Sequence, residues 1–383
     1  MEQFLRQLQT IPEAAELIRR VEEGGCPAAV SGLQPVQRAC VGAAVAAACG
    51  RPAVFLCGDE REVQVLSADL ETLTGRRPVT LLGREWQFRP GAVGSRDWER
   101  SRLAALYALA QGDAPVVVAT ADGLMARTLP PETLRSLAIT LEVGGQAELG
   151  ALAEQLLSAG YTRCEQVEGV GQFALRGGIL DVFSPLMDQP VRCEFFDDEI
   201  DSMGAFDPGT QRRTRNVSSA RILPAAEVLP HCAPGGLPGL ADQLIALAEK
   251  LAKKQKTEAI VQTLREDAER LRSGAAPGAA DRYLAAIYPT VTAGVHYLPP
   301  DAVVFLSESG RVDERVKNTV LQQKQDVEAL LSAGVLAGEY AHLTLTAEEL
   351  YAALEDFPVI LEDSLPTSRH PLRPRGLLTM NAK

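Results

Sequence analysis

Two places in the 383-residue sequence carry residues of the kind that handle a nucleoside triphosphate. The first is Ala28-Ala29-Val30-Ser31-Gly32-Leu33-Gln34-Pro35-Val36-Gln37-Arg38, a strand-like start leading into a helix from Ala39 to Cys49. A phosphate cradle there needs several glycines for close backbone approach, then Lys for the β and γ phosphates and Ser or Thr for Mg2+. Gly32 stands alone, Pro35 removes an N–H donor, and no Lys-Ser or Lys-Thr pair follows. The second place is the end of the apolar run Ala302 to Leu306, where an ATPase would carry an acidic pair and this chain has Ser307-Glu308. Serine instead of the metal-organising aspartate leaves Glu308 without the Mg2+ it would work beside. With a part missing from each half, Gly32, Arg38, Ser307 and Glu308 read as a degenerate nucleotide site, with no catalytic residue and no cofactor.

Other chemistry fares no better. His231, His296, His342 and His370 are far apart in sequence and read as surface or turn residues. The seven cysteines are scattered, with no C-x-x-C pair, and read as buried small hydrophobes in a reducing compartment. The acidic run Asp197-Asp198-Glu199-x-Asp201 reads as a solvated strand turn rather than a metal site, so no metal is expected. Lys250, Lys253, Lys254 and Lys256 read as the wet side of an amphipathic helix, with nucleic-acid contact as the alternative.

What remains is a surface. Val191 to Phe196 alternates, so Val191, Cys193 and Phe195 share a core face while Arg192, Glu194 and Phe196 share the other. A phenylalanine on the charged side of a strand is how the centre of a protein–protein contact is built. Three bland alternatives stand beside this. Arg176 could simply brace a hairpin, Arg192 could pair with Glu194 or Asp181 as a surface salt bridge of little worth, and a one-residue slip would bury Phe196 under the helix Leu149 to Gly160.

The elements that must position these residues follow from apolar patterning. Up to about Leu137, short runs apolar on both faces (52–57, 79–82, 115–120) alternate with helical segments such as 60–74 and 97–111, the pattern of a parallel sheet covered on both sides. From Ala138, one helix is followed by strands without intervening helices, a small α+β unit with Gly177-Gly178 and Asp207-Pro208-Gly209 at its turns. After Leu223-Pro224 the helical signal returns: one apolar stripe over Leu240 to Arg272, a strand at 302–306, a helix from Glu314 to Leu331 and a capping box at Thr346–Glu349. The boundaries are thus 1–137, 138–223 and 224–383, α/β material flanking an α+β insert. A net charge of −12 argues against a surface that is wholly a nucleic-acid footprint. The mixed-charge N-terminus is no signal peptide, and the longest apolar run, Ala39 to Cys49, is too short to cross a bilayer, so a cytoplasmic protein without membrane contact is expected. The close at Leu377 to Lys383, with no polar tail, suggests a piece of something longer.

The insert resembles the domain that bacterial transcription-repair-coupling factors (Mfd) share with the excision-nuclease protein UvrB. The residues that carry the resemblance are FALRGGILDVFSP at 173–185, PVRCEFFDDEIDSM at 190–203, FDPGTQRR at 206–213 and ILPAAE at 222–227. It extends to Gly160-Tyr161 and to LEDSLPTSR at 361–369, so it spans essentially the whole chain. The coupling factors are the closer of the two, because UvrB would carry an intact phosphate loop. The resemblance implies a UvrB-like fold: a degenerate helicase-like (RecA-like, P-loop-type) parallel-sheet domain 1a, an inserted domain 2, and a domain 1b completing the first. It implies that domain 2 binds UvrA, with Arg176, Arg192 and Phe196 at the family's contact positions. In the longer parent it implies RNA polymerase and double-stranded DNA as partners, ATP-dependent translocation, and a C-terminal domain that masks domain 2 intramolecularly. The alternative within the resemblance is a UvrB-type component of the excision nuclease with ATP-dependent DNA binding.

Overall fold

The structure is a computed structural model that describes residues 2–89, 97–254 and 257–380. Its strands, in chain order, are β1 Ala28–Ser31, β2 Ala53–Cys57, β3 Val79–Leu81, β4 Val116–Thr120, β5 Ile139–Glu142, β6 Thr162–Arg163, β7 Gln172–Arg176, β8 Ile179–Val182, β9 Val191–Phe196, β10 Glu199–Phe206, β11 Arg213–Asn216, β12 Ser219–Ile222, β13 Val303–Ser307, β14 Val359–Asp363 and β15 Gly376–Thr379.

Seven of them form a parallel sheet in the order β15-β1-β14-β13-β2-β4-β3. The runs that are apolar on both faces fill it because helices cover both sides. Along β2, Val54 and Leu56 enter one core while Phe55 and Cys57 enter the other, which the helices Pro35–Cys49 and Glu60–Thr74 close with Val41, Val45, Val63 and Leu66. The fold is therefore α/β, with a small β-rich insert.

The insert is a six-stranded sheet, β11-β10-β9-β8-β7-β6, antiparallel except for the β6–β7 pair, together with a two-stranded β12–β5 ribbon. Its turns use the residues that tight turns demand: Gly177 at φ 59° between β7 and β8, and Asp197 at φ 51° between β9 and β10. One face packs Leu152 and Leu156 of the helix Leu149–Ser158 onto Leu180, Val191, Cys193 and Met203. The insert is held to the larger unit by the helix Asp97–Gln111. Arg100 Nε donates to the Pro185 carbonyl at 2.8 Å, and Tyr107 takes a hydrogen bond from Arg221 at 2.8 Å.

Several sequence expectations change: the helix expected from Glu314 starts at Ser309, and of the seven cysteines only Cys57 and Cys193 are buried. The helix expected from Ala39 starts at Pro35, where a missing N–H costs nothing because the first helical N–H groups have no partner within the helix. The stripe over Leu240–Arg272 is two helices, Gly236–Leu251 and Glu258–Arg272, packed as a hairpin; Lys250, Lys253 and Lys254 lie at the end of the first, and Lys256 is outside the described residues. His370 has a side chain only 6% exposed, against the expectation of a surface residue.

Candidate functional site

The alternation of β9 holds. Phe195 packs against the insert's core, whereas Phe196 is 76% exposed. Register then decides who meets whom. In the antiparallel pairs Asp181 lies opposite Arg192 on one side and Ala174 on the other, and Arg176 lies opposite Ile179, so Arg176, Asp181, Arg192, Glu194 and Phe196 share the outer face.

Asp181 organises that face. Its side chain is 1% exposed, and it accepts from Arg192 Nε at 2.7 Å, Arg192 Nη2 at 2.9 Å and Arg176 Nη2 at 2.8 Å. Arg192 also lies 4.6 Å over the ring of Phe206, which with Val167, Ala174 and Phe183 makes a small apolar cluster on this side of the sheet. The pairing weighed as a surface salt bridge is thus a bidentate pair on a buried carboxylate that fixes both guanidiniums, and Arg192 Nη1 and Nη2 also reach Gln211 O and Oε1 at 3.5 and 3.4 Å. Arg176 keeps 51% of its side chain exposed and Arg192 22%. Phe196 stands four residues along β9 from Arg192, about 13 Å at ~3.3 Å per residue. The arrangement offers two oriented cations and one bare ring, which can receive carboxylates and an apolar contact.

The residues read in the sequence as a degenerate nucleotide site also converge. The loop from β1 to the following helix is only Gly32-Leu33-Gln34, shorter than the spacing G-x-x-x-x-G-K requires. Gly32 has φ 91°, and a Cβ there would strike the Met380 carbonyl that follows β15. Arg38, 4% exposed, fills the corner that β13 and β14 leave at the carboxyl edge of the sheet. It donates to Glu308 Oε1 at 2.5 Å, Ser364 Oγ at 3.0 Å, Leu33 O at 3.3 Å and Glu62 Oε1 at 3.3 Å. Ser307 Oγ donates to the same Glu62 oxygen at 2.7 Å, and Glu308, at φ 55°, also takes the Ser364 hydroxyl. Arg38, Ser307 and Glu308 are therefore one network, and Gly32 adjoins it through Leu33.

Sequence reasoning missed several members of this corner. Glu62 is the acceptor common to Arg38 and Ser307. Glu362, fully buried on the β14 face that looks toward Arg38, has no hydrogen-bond partner among the described residues for either carboxyl oxygen, and burial pushes its pKa well above the usual carboxylate range. Asp363 accepts from Ser309 N and Oγ, both at 2.9 Å, with His370 Nδ1 3.7 Å away. The readable signal was the Glu362-Asp363 pair ending an apolar strand. Among the described residues, no cluster of three or more His, Cys, Asp or Glu is arranged to hold a metal ion, and no helix is long and apolar enough to cross a membrane.

The UvrB interaction domain family matches residues 139–227, the stretch that contains the whole six-stranded sheet. The chain is 29% identical over 322 residues, 83% of its length, to the transcription-repair-coupling factor of Bacillus subtilis. It is 35% identical over 253 residues, 63% of its length, to that of Myxococcus xanthus, and 34% identical over 178 residues, 46% of its length, to that of Escherichia coli K12. The matched regions make up 27, 20 and 15% of those three relatives, so the chain spans about a quarter of their length or less. The chain thus matches the UvrB interaction domain family at residues 139–227 and is similar, over most of its length, to part of the transcription-repair-coupling factors.

Proposed function

We propose that this chain is a non-catalytic recruiting module of a transcription-repair-coupling factor and that the outer face of its six-stranded sheet binds UvrA through Arg176, Arg192 and Phe196. The observation that carries the reading is the pairing of a fully presented aromatic with two guanidiniums held on one buried carboxylate. Fixing arginine rotamers before the encounter removes an ordering cost from binding, and aromatic and arginine side chains dominate the energetics of protein contacts. In this reading the chain divides at 1–137, 138–223 and 224–383 into domain 1a, the UvrA-binding domain 2 and domain 1b. The larger parallel-sheet unit acts as a scaffold, because Arg38 and its carboxylate partners occupy the corner where phosphates and Mg2+ would sit.

The parent protein, working in the cytoplasm, would bring UvrA to an RNA polymerase stalled at DNA damage. ATP-dependent translocation on double-stranded DNA, contact with the polymerase and intramolecular masking of domain 2 would belong to its other parts. Retention on immobilised UvrA tests the module directly. The wild-type chain should be retained, and a chain with Arg176→Ala, Arg192→Ala and Phe196→Ala together should not; equal retention of both would overturn the proposal. A thermal shift with ATP and Mg2+ separates it from the UvrB type, since a nucleotide-binding chain would melt higher by mass action and this one should not move.

A further inference from the structure

We infer that Arg213 is a fourth partner-contacting side chain, extending the UvrA-binding face across β10 toward carboxylates on the partner; the inference rests on the docking reading above. Gly204 lies directly opposite Arg192 in the β9–β10 ladder and carries no side chain to cover the sheet there. A Cβ at that position would collide with Nε of Arg213, so the glycine is the gap through which the Arg213 side chain crosses from β11. Its guanidinium donates to the Met203 carbonyl, lies 3.4 Å from Ser202 Oγ and 3.9 Å from Glu194, and remains 37% exposed.

Register makes this specific. Arg213 pairs with Phe206, the ring beneath Arg192, and so points to the outer face; Arg215 pairs with Ala205, whose face is the insert's core side. Arg176, Arg192 and Arg213 thus form a row on one face, whose acidic partners among the described residues are buried Asp181 and Glu194, within a chain whose net charge is −12. A locally cationic, aromatic-edged surface on an acidic protein fits an acidic protein patch. Arg213 gains that role from the glycine gap and not from the alternation of β9, which is why it lies outside the set the strand pattern identifies.

Calorimetric titration of UvrA into variants of the chain tests this. Arg213→Ala should weaken binding about three- to ten-fold, the range of one partly exposed charge contact. Gly204→Ala, which keeps the arginine but closes its gap, should weaken binding similarly, and the double variant should be no worse than either single change. Arg215→Ala removes the same charge from the opposite side and should stay within about two-fold of wild type. Unfolding midpoints confirm that each variant is folded. Wild-type affinity for Arg213→Ala while Arg192→Ala and Phe196→Ala lose binding would overturn this inference and leave the docking reading standing. Equal losses for Arg213→Ala and Arg215→Ala would also overturn it, since general charge steering would then suffice. Wild-type binding by Arg176→Ala, Arg192→Ala and Phe196→Ala would remove the docking reading itself. Loss of duplex-DNA binding in Arg213→Ala with UvrA affinity unchanged would assign the row to nucleic acid and overturn the inference.

Discussion

Replacing Arg38 with methionine keeps the length and apolar stem of the side chain and removes its charge. The guanidinium is 4% exposed and serves two carboxylates, Glu308 at 2.5 Å and Glu62 at 3.3 Å, in a corner that also holds Glu362 and Asp363. Without it, Glu62 and Glu308 face each other and the buried carboxyls with no cation. Removing one partner of a buried ion pair costs about 3–5 kcal/mol, because the remaining charge stays desolvated and unpaired. At about 2 °C per kcal/mol for a unit of this size, the unfolding midpoint should fall by about 6–10 °C. The deficit has a sign in pH as well. An ion pair with Arg38 exists only while its carboxylate partners are ionised, so the deficit should be fully present at pH 7 and shrink below about pH 4. Adding Glu308→Gln to Arg38→Met should restore part of the stability, a coupling that independent sites would not show. Thermal and urea unfolding followed by circular dichroism measure all three. A loss under about 1 kcal/mol with no recovery in the double variant would mean that Arg38 does not close the corner. Nucleotide space at this corner would then not be filled.

Three further outcomes are expected. Glu362→Gln should raise the unfolding midpoint at pH 7 and above and do little near pH 4: the folded carboxyl is held protonated by burial while the unfolded one ionises, so the native protein loses stability as pH rises through the carboxylate range, and a neutral amide escapes that loss; a gain independent of pH would contradict this. Asp181→Asn should lower the insert's stability by about 3 kcal/mol and weaken UvrA binding, because both guanidiniums lose their shared anchor, whereas Phe196→Ala should leave the melting point within about 1 °C. Gly32→Ala should destabilise the sheet edge by about 1–3 kcal/mol and speed amide exchange in β15, since the new Cβ meets the Met380 carbonyl at a left-handed backbone position.

Much of this was legible in the sequence because periodicity reports which face is buried. The two-sided apolar runs became the parallel sheet, and the two faces of Val191 to Phe196 came out as read, since period-2 alternation over six residues has only two phases. The helix break near Ala252 was not legible: Leu251 and Ile260 continue the apolar stripe, and the turn between them has neither glycine nor proline. Asp181 was named beside Glu194 as a possible partner of Arg192, but its burial and its second arginine, like the Arg38 corner, were hidden for a different reason. Asp181 meets Arg192 only through strand register, and Arg38 meets Glu308 across 270 residues of sequence. Gly204 shows the same limit, because an empty position gains meaning only from the side chain that crosses it.

The outer face of the insert is proposed as the docking surface for UvrA. Isothermal titration of purified UvrA into the wild-type chain and into Arg176→Ala, Arg192→Ala and Phe196→Ala, one at a time, tests it most directly. Saturable binding is expected, with Phe196→Ala and Arg192→Ala each weakening it about thirty-fold or more, the size of a contact hot spot, while all four chains melt cooperatively. Affinity unchanged in all three variants, or no binding by the folded wild-type chain, would contradict the account.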